Sequence, residues 1–372
     1  MKKIEFSKQN ILPTDIKAVS KIIKSGWLTH GKYTELFEKE INNFTSAKYA
    51  ITVSSCTAGL HLSCLALGFK KGDEIIVPSM THTATAHAVE YTGAKAVFAD
   101  VDPITGNVGL NEIKKKVSKD TKGIIIVHMA GLACEISEIK KFCKKKKLEL
   151  IEDCAHGLGT TYKKKHVGNF GVVGCFSFYP TKQITTGEGG LVITNSKKIY
   201  LKIKQLKAFG IDKDLKDRKK AGVYDVQDLG FNYRMTDFQA ALGYFQLKRY
   251  KANLIKRKKI AKKYIELLSK NKNIRFPDYS TNNSYFIFQV LCNNRDKVVK
   301  GLKSNKIFTS IHYATPLTSM SYYKKKYKIN SKNYKNANNY GKTNISLPNY
   351  PKLSFLEVEF ICSKLNELTK DE

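Results

Sequence analysis

Residues 49–62 read YAITVSSCTAGLHL, an apolar run with branched residues that ends in small, hydroxylated residues and continues as a helix-like pattern. Six further apolar runs, separated by helical or loop segments, follow over residues 74–77, 96–99, 123–127, 148–151, 175–178 and 191–194. This alternation predicts an α/β fold with a large, mostly parallel seven-stranded sheet covered by helices. Ligands of such sheets bind beyond the carboxyl ends of the strands, so the residues that follow the runs are the first candidates for chemistry.

The C-terminal third of the chain has a different pattern. A stretch rich in Ala, Leu, Lys and Gln over residues 237–268 predicts a long helix that links two domains. We therefore expect a large domain over residues 1–245 and a smaller α+β domain over residues 246–372. Within the smaller domain the patterns predict strands over 285–290 and 307–313, an exposed loop over 318–345 and a terminal helix over 356–368.

Composition narrows the class of protein. The chain has 372 residues with 42% hydrophobic content, enough for a sizeable core, and no apolar run reaches the roughly 20 residues that span a bilayer. The formal net charge of +33 invites a nucleic-acid interpretation. However, only six of the 65 basic residues are arginine, lysine is spread along the whole chain, and no nucleic-acid-binding motif is present. We expect neither a nucleic-acid partner nor a membrane partner.

The eight cysteines are scattered along the chain without a C-x-x-C pair. This spacing favours reduced core thiols over a disulfide framework or a zinc site, and we expect no metal. The first residues, MKKIEF, lead into polar sequence rather than into a signal-peptide core. These features predict a cytoplasmic protein.

Residues 177–190 read SFYPTKQITTGEGG and follow the start of the sixth apolar run. In a chain this rich in lysine, Lys182 alone would be interpreted as a solvated surface residue. Its neighbours favour a ligand site, because the Ser177 hydroxyl can donate to a phosphate and the three glycines allow a close approach of the backbone. Lys182 is therefore the candidate catalytic lysine.

Residues 148–157 read LELIEDCAHG and place two acidic residues at the end of a predicted strand. An acid there can bind a ribose hydroxyl, hold a metal ion, or lie against the ring nitrogen of pyridoxal phosphate. In the last role a carboxylate keeps the ring nitrogen protonated, so that the ring can accept electron density. Asp153 is the candidate for this catalytic role, and Glu152 is expected to face the other side of the strand.

Residues 54–62, SSCTAGLHL, combine a strand end with a helix start. The free backbone N–H groups of such a start, together with the helix dipole, suit a phosphate, although serine and threonine also serve as plain helix caps. Nothing in the chain matches the P-loop pattern, and no G-x-G-x-x-G follows the first strand. ATP-dependent and NAD-dependent functions therefore lose support.

Taken in order along the chain, these segments resemble the DegT or StrS family of sugar aminotransferases, which are pyridoxal phosphate enzymes of fold type I. The resemblance extends over nearly the whole chain, and the ordered set of motifs is highly specific. It is carried by residues 25–31 (SGWLTHG), 55–61 (SCTAGLH), 72–79 (GDEIIVPS), 151–156 (IEDCAH), 177–190, 229–237 (LGFNYRMTD) and 345–348 (ISLP).

The resemblance implies roles for the cofactor residues. Lys182 would attach pyridoxal phosphate covalently and later move a proton between substrate and cofactor, with Asp153 beside the ring nitrogen. His82 would stack on the ring, where the family usually has a larger aromatic side chain, and His156 would line it. The implied phosphate ligands are Thr57, Ala58, Ser177 and, from the neighbouring subunit, Asn232. The implied assembly is a homodimer with its active sites at the subunit interface.

The resemblance also implies a nucleotide-linked keto-deoxysugar as amino acceptor and glutamate as amino donor. Residues 184–190 (ITTGEGG) are similar to members that aminate C4 of 4-keto-6-deoxysugars. A cyclitol or C3-keto sugar aminotransferase of the same family is the alternative, and a regulatory or nucleic-acid-binding protein without enzymatic activity is a more distant one. The candidate substrate contacts are Gly26, Trp27, Thr29, Arg234, His312 and Tyr313. Where the family often has a second histidine, this chain has Thr318.

Overall fold

The computed structural model describes residues 3–213, 220, 222–279 and 282–370. Its strands are β1 (Tyr49–Val53), β2 (Glu74–Pro78), β3 (Lys95–Ala99), β4 (Thr121–Val127), β5 (Glu149–Asp153), β6 (Thr161–Tyr162), β7 (Lys165–His166), β8 (Val173–Ser177), β9 (Gly190–Thr194), β10 (Phe288–Leu291) and β11 (Asn344–Leu347). Seven of them form one sheet in the order β1-β9-β8-β5-β4-β2-β3. Only β9 runs antiparallel to its neighbours. The predicted large, mostly parallel seven-stranded sheet is confirmed.

Helices cover both faces of this sheet. They are α1 (Pro13–Ser25), α2 (Lys32–Thr45), α3 (Cys56–Ala66), α4 (Thr83–Glu90), α5 (Leu110–Lys114), α6 (Ile136–Lys146), α7 (Lys197–Leu206), α8 (Asp237–Lys248), α9 (Tyr250–Leu268), α10 (Arg295–Ser304), α11 (Ser321–Tyr327), α12 (Lys335–Thr343) and α13 (Phe355–Leu368). Side chains of α3, α4 and α7 share one hydrophobic cluster with alternate residues of the strands. Those of α2, α5, α6 and α8 pack with the remaining strand residues on the other face.

Two helix starts position the site that the strand ends suggest. Two residues separate the end of β1 from helix α3, whose N-cap is Ser55. Helix α4 begins shortly after β2, and its N-cap is His82. Each N-cap side chain accepts a hydrogen bond from a backbone N–H of the first turn, which stabilises the helix start. Both helices therefore direct their N-termini towards the carboxyl edge of the sheet.

A second hydrophobic cluster lies around the two-stranded antiparallel sheet of β10 and β11. Helices α9, α10 and α13 pack on it, and Ile4 joins it through a bridge to Ile307. The predicted terminal helix is present as α13. The boundary between residues 245 and 246 stays a prediction. Among the described residues, no helix combines the length and the apolar character that a membrane crossing requires.

Two predictions for the C-terminal region are wrong. Residues 307–313 form only single bridges at Ile307 and Ser310, and the strand that pairs with β10 is β11. The expected exposed loop over 318–345 contains α11 and α12, whose Tyr323 and Tyr340 are buried in the core of the large sheet. A tyrosine can bury its ring while its hydroxyl forms a hydrogen bond, and the Tyr340 hydroxyl donates to Gln289 Oε1 at 2.8 Å. A segment of polar composition can therefore form buried helices.

The predicted long helix over residues 237–268 is present as α8 and α9. The two helices meet at Arg249, whose backbone angles, φ −102° and ψ 2°, leave the helical range. The Arg249 guanidinium forms a two-pronged ion pair with Asp15 and also donates to the carbonyl of Asn10. The break is therefore anchored to the N-terminal helix α1.

Candidate active site

The carboxyl ends of six strands and the first residue of β9 meet at one edge of the sheet. Asp153 is the last residue of β5, and Ser177 is the last residue of β8. Gly190 begins β9 opposite both Val53 and Ser177. A Cβ at Gly190 would lie 2.2 Å from the carbonyl carbon of Ser55, so glycine is required where β9 passes the start of α3. The topology thus gathers the start of α3, Asp153 and Ser177 at one edge.

The start of α3 offers hydrogen-bond donors to this edge. The first-turn N–H groups of a helix have no partner within the helix, and the dipole makes this end attractive to anions. Thr57 lies in this turn and is half-buried. The amide of Ala58 is already engaged, because it donates to Ser55 Oγ at 3.0 Å. The phosphate-binding roles of Thr57 and Ser177 at this edge stay predictions.

Asp153 is only 4% exposed. Its Oδ2 accepts a hydrogen bond from the Thr85 hydroxyl at 2.8 Å, and its Oδ1 accepts one from the Ala155 N–H at 3.1 Å. Burial raises the pKa of Asp153, whereas the two hydrogen bonds and the charge of Lys182 act in the opposite direction. A buried carboxylate of this kind is stabilised by a neighbouring cation such as a protonated ring nitrogen.

Lys182 follows β8 in a turn in which its N–H donates to the Tyr179 carbonyl at 2.9 Å. Its Nζ lies 4.4 Å from the centre of the Phe286 ring. Burial lowers the pKa of Lys182 to about 8, and the nearby Cys56 and Asp153 oppose this shift. An amine with this pKa is neutral in a substantial fraction of molecules near neutral pH, which a nucleophile or base requires.

An aromatic wall from the C-terminal part of the chain faces Lys182. The His156 ring is stacked on Phe286 with ring centres 4.5 Å apart, and its Nε2 lies 3.4 Å from the Tyr313 hydroxyl. His312 packs edge-on against both His156 and Phe286. Burial lowers the pKa of His156 well below its usual value and that of His312 to about 3. Both imidazoles are therefore neutral at physiological pH and add no positive charge beside Lys182.

His82 and Asn232 lie nearer the surface. His82 is exposed, its Nδ1 accepts the Ala84 N–H at 3.2 Å, and its ring centre lies 5.9 Å from that of Tyr313. Asn232 is also exposed, and its Oδ1 accepts a hydrogen bond from Arg234 Nε at 3.1 Å. The roles of His82 as a ring partner and of Asn232 as a phosphate ligand stay predictions.

The candidate substrate residues fall into two groups. His312 and Tyr313 belong to the wall beside Lys182, whereas Trp27, Thr29 and Arg234 line a separate cavity of about 600 Å³, here called the outer pocket. Gly26 ends helix α1 with φ 71°. Other members of the outer pocket were not singled out by the sequence, namely His30, Glu35, Glu38, Lys204 and Lys207.

Glu152 faces away from Asp153, as its strand position predicted. Its carboxylate accepts hydrogen bonds at 2.6–3.1 Å from the N–H groups of Gly168, Phe170 and Gly171 and from the His128 ring. Within the described part of the chain, His128, Glu152 and Cys154 also form a group with metal-ligand spacing. Because the carboxylate oxygens already accept four hydrogen bonds, Glu152 serves to anchor the loop before β8.

The donor set fits pyridoxal phosphate. One edge of the sheet carries an amine with a lowered pKa, a buried carboxylate, a helix N-terminus and the strand-end hydroxyl of Ser177. The fold and this set define a pyridoxal phosphate aminotransferase of fold type I. The chain belongs to the DegT/DnrJ/EryC1/StrS aminotransferase family, whose profile matches residues 9–366, and it is a sugar aminotransferase that uses pyridoxal phosphate.

Individual proteins agree with this membership. The chain is 34% identical to the UDP-4-amino-4,6-dideoxy-N-acetyl-beta-L-altrosamine transaminase of Campylobacter jejuni, over 96% of this chain and 95% of that protein. It is 33% identical to the UDP-4-amino-4-deoxy-L-arabinose--oxoglutarate aminotransferase of Shewanella sediminis, over 95% of each chain. The solved PLP form of Spr1654 from Streptococcus pneumoniae has a TM-score of 0.92 at 26% identity and covers 100% of this chain and 99% of that chain.

Sequence reasoning missed two residues at the centre of the site. Thr85 donates to Asp153, but on its own it is one threonine in a run of small helical residues. Phe286 packs against both Lys182 and His156, but in the sequence it is an ordinary member of an apolar run. Neither residue carries a local signal in the sequence, because the role of each depends on a contact with a distant segment.

Proposed function

We propose that the protein transfers an amino group from glutamate to the C4 keto carbon of a nucleotide-linked 4-keto-6-deoxyhexose. The observation that carries the amino transfer is the Lys182 amine, whose pKa burial lowers to about 8 and whose charge interacts with that of the buried Asp153. The names of the two relatives support C4 as the aminated carbon, since both describe 4-amino sugars linked to UDP, and the first name describes a 4,6-dideoxy sugar. The second name includes oxoglutarate, the keto acid that glutamate becomes when it gives up its amino group.

The proposed roles follow from the environment of each side chain. When bound, pyridoxal phosphate supplies a sink for the electrons released at the amino-bearing carbon. Lys182 holds the cofactor, and its Nζ accepts and returns the proton at that carbon. Asp153 accepts the hydrogen bond of the ring N–H and keeps the ring nitrogen charged. Thr57 and Ser177 bind the phosphate, and Ala58 joins them if its amide exchanges Ser55 Oγ for a phosphate oxygen.

The outer pocket is the proposed site of the nucleotide diphosphate. Arg234, Lys204 and Lys207 line it, and cationic side chains form strong, short hydrogen bonds with phosphate oxygens. Trp27 is 57% exposed at its rim and offers a flat face to a base or sugar ring. In this proposal His312 and Tyr313 contact the sugar itself, because they lie beside Lys182.

The exposed apolar side chains near Asn232 support a homodimer. Leu229 is 81% exposed. Further large hydrophobic side chains are exposed in the same part of the chain, namely Phe209, Val223, Tyr224 and Val226. An apolar patch of this kind is typical of a surface that another protein covers. In the proposed dimer this patch is covered by the second copy, and Asn232 reaches the phosphate in the partner's site.

The state of the cysteines supports a cytoplasmic location. All eight lie among the described residues and are buried, and none forms a disulfide. Thiols in this state are typical of proteins from reducing compartments.

Sugar nucleotides that receive an amino group are building blocks of surface polysaccharides, and we propose that pathway class for the product.

The proposal is tested by incubating the purified protein with pyridoxal phosphate, ¹⁵N-labelled glutamate and a panel of nucleotide keto sugars. We expect ¹⁵N at C4 of a 6-deoxyhexose and an equal amount of 2-oxoglutarate, with Lys182→Ala as the inactive control. Product from C3-keto sugars alone, or from cyclitols alone, would favour the alternatives within the family. A protein that takes up no pyridoxal phosphate would contradict the amino-transfer function itself.

A further inference from the structure

Thr85 lies on α4 and makes a side-chain contact with Asp153. Its side chain is fully buried, and its Oγ1 lies 2.8 Å from Asp153 Oδ2. A carboxylate oxygen can only accept, so the Thr85 hydroxyl donates the proton of this hydrogen bond. The Thr85 hydroxyl therefore has no second proton to donate to another group.

A second threonine stands behind the first. Thr81 Oγ1 lies 2.9 Å from Thr85 Oγ1, and Thr81 is only 2% exposed. Because the Thr85 proton points to the carboxylate, the Thr81 hydroxyl donates to Thr85. The two hydroxyls form a directed chain that ends on Asp153, and hydrogen bonds in such chains strengthen one another in a low-dielectric interior.

The other groups around Asp153 cannot replace this chain. The titratable side chains that interact with Asp153 come from several elements: Cys56 of α3, His82 before α4, Cys154 after β5, Cys175 of β8, Lys182 after β8, and Tyr313. Cys56 Sγ lies 4.0 Å from Oδ1, and a thiol is a weak donor. Among the described residues, Thr85 provides the only hydroxyl hydrogen bond to Asp153 that the structure records.

We propose that Thr85, supported by Thr81, is a positioning residue that holds the Asp153 carboxylate ionised and aimed at the ring nitrogen of pyridoxal phosphate. The proposal rests on the proposed role of Asp153. With Oδ2 held by Thr85, the ring N–H would bond to Oδ1, which can accept a hydrogen bond in addition to that from the Ala155 N–H. Burial raises the pKa of Asp153, and the hydrogen bond from Thr85 is the first of the effects that oppose this rise.

Three variants separate this role from a packing role. Thr85→Val keeps the shape and the branched Cβ but removes the donor, and Thr85→Ser keeps the donor but removes a methyl group. The matched control is Thr194→Val, because Thr194 is equally buried and donates to the Val172 carbonyl at the opposite end of β9. Thr81→Val removes only the outer link of the chain.

The readout is the ¹⁵N chemical shift of pyridoxal phosphate labelled at the ring nitrogen and bound to each full-length variant, since this shift reports protonation. We expect Thr85→Val to move the signal towards the unprotonated position and to lower kcat about tenfold or more, because a hydrogen bond to a charged group is lost. The KM for glutamate should change little. Thr85→Ser should restore the wild-type signal, and Thr81→Val should give a smaller shift in the same direction.

Asp153→Asn separates a test of the proposed role of Asp153 from a test of the proposed role of Thr85. If Asp153→Asn leaves the ¹⁵N shift unchanged, the proposed role of Asp153 is wrong. If Asp153→Asn moves the shift while Thr85→Val leaves both shift and kcat at the level of Thr194→Val, the proposal for Thr85 alone is overturned. Should Thr85→Val not fold, the same comparison between Thr81→Val and Thr194→Val decides, and equal behaviour of those two overturns the proposal.

Discussion

The surroundings of Lys182 and those of Arg234 are built in opposite ways. Around Lys182, Cys56 is fixed at a helix start and Asp153 at a strand end, and Asp153 and His156 are 4% and 2% exposed. Around Arg234 the neighbours lie on loops and helix surfaces, and Trp27 is 57% exposed. Charges interact strongly in the buried region and weakly in the exposed one. The comparison favours the proposal that the residues at the sheet edge carry the reaction chemistry and that the outer pocket binds the acceptor.

The largest expected effect comes from Lys182→Ala. Removing the attachment and proton-transfer group should abolish both halves of the reaction and the visible absorbance of the bound cofactor, with at least about a 10²- to 10⁴-fold loss in rate from proton transfer alone. Steady-state kinetics and an absorbance spectrum check this outcome. Lys164→Ala is the control, since Lys164 is an exposed lysine. Equal activity of Lys182→Ala and Lys164→Ala would contradict the proposed catalytic role of the region around Lys182.

Asp153→Asn should have the next largest effect. The amide keeps the shape but removes the negative charge opposite the ring nitrogen, so we expect kcat to fall about 10²-fold or more. Binding of pyridoxal phosphate and the KM of the sugar nucleotide should change much less. Both half-reactions can be followed by single-turnover absorbance. A selective loss in the sugar half-reaction would place Asp153 in recognition and contradict its assignment.

Arg234→Ala tests the outer pocket. Arg234 donates to Asn232 and bonds the His30 ring, and in the proposed complex it also pairs with a phosphate. We expect the KM of the nucleotide sugar to rise about tenfold to a hundredfold, because a charge-assisted hydrogen bond is lost, while the glutamate half-reaction keeps its rate. Arg275→Ala, on an exposed arginine of the C-terminal region, is the control. A slower glutamate half-reaction in Arg234→Ala would contradict the proposed division of roles between the outer pocket and the region around Lys182.

The pH dependence of cofactor capture should show the smallest but most specific effect. Because burial lowers the pKa of Lys182 to about 8, its neutral amine forms at a lower pH than that of a surface lysine. The capture rate of the cofactor-free protein should rise with pH, reach half of its maximum near pH 8 and level off above that. Asp153 raises the pKa of Lys182, so Asp153→Asn should move the midpoint to a lower pH. Stopped-flow absorbance measures both, and a rise that continues past pH 10 would contradict the burial argument.

The sequence predicted the large sheet well because each of its strands is a compact apolar run. All seven runs lie within two residues of the observed strands, and Asp153 and Ser177 end theirs. The C-terminal region was predicted less well, since β11 alternates polar and apolar residues over only four positions. Helices α11 and α12 bury tyrosines, whose polar hydroxyls make a buried segment resemble a loop.

The residues of the candidate site also divide into those that the sequence singled out and those that it did not. Lys182 and Asp153 could be singled out as candidates because motifs place them after a strand and at the end of a strand, and the topology of a parallel sheet brings strand ends together. Thr85, Phe286 and the lysines of the outer pocket could not, because their roles depend on contacts between segments far apart in the chain. Local patterns carry no information about such contacts.

The proposed covalent attachment of pyridoxal phosphate to Lys182 can be measured directly. The purified protein is loaded with the cofactor, reduced with borohydride and digested, and the pyridoxyl group is located by mass spectrometry. We expect a single modified peptide that carries the group on Lys182, and none in Lys182→Ala. A pyridoxyl group on another lysine, with Lys182 unmodified in an active preparation, would contradict the assignment of this site.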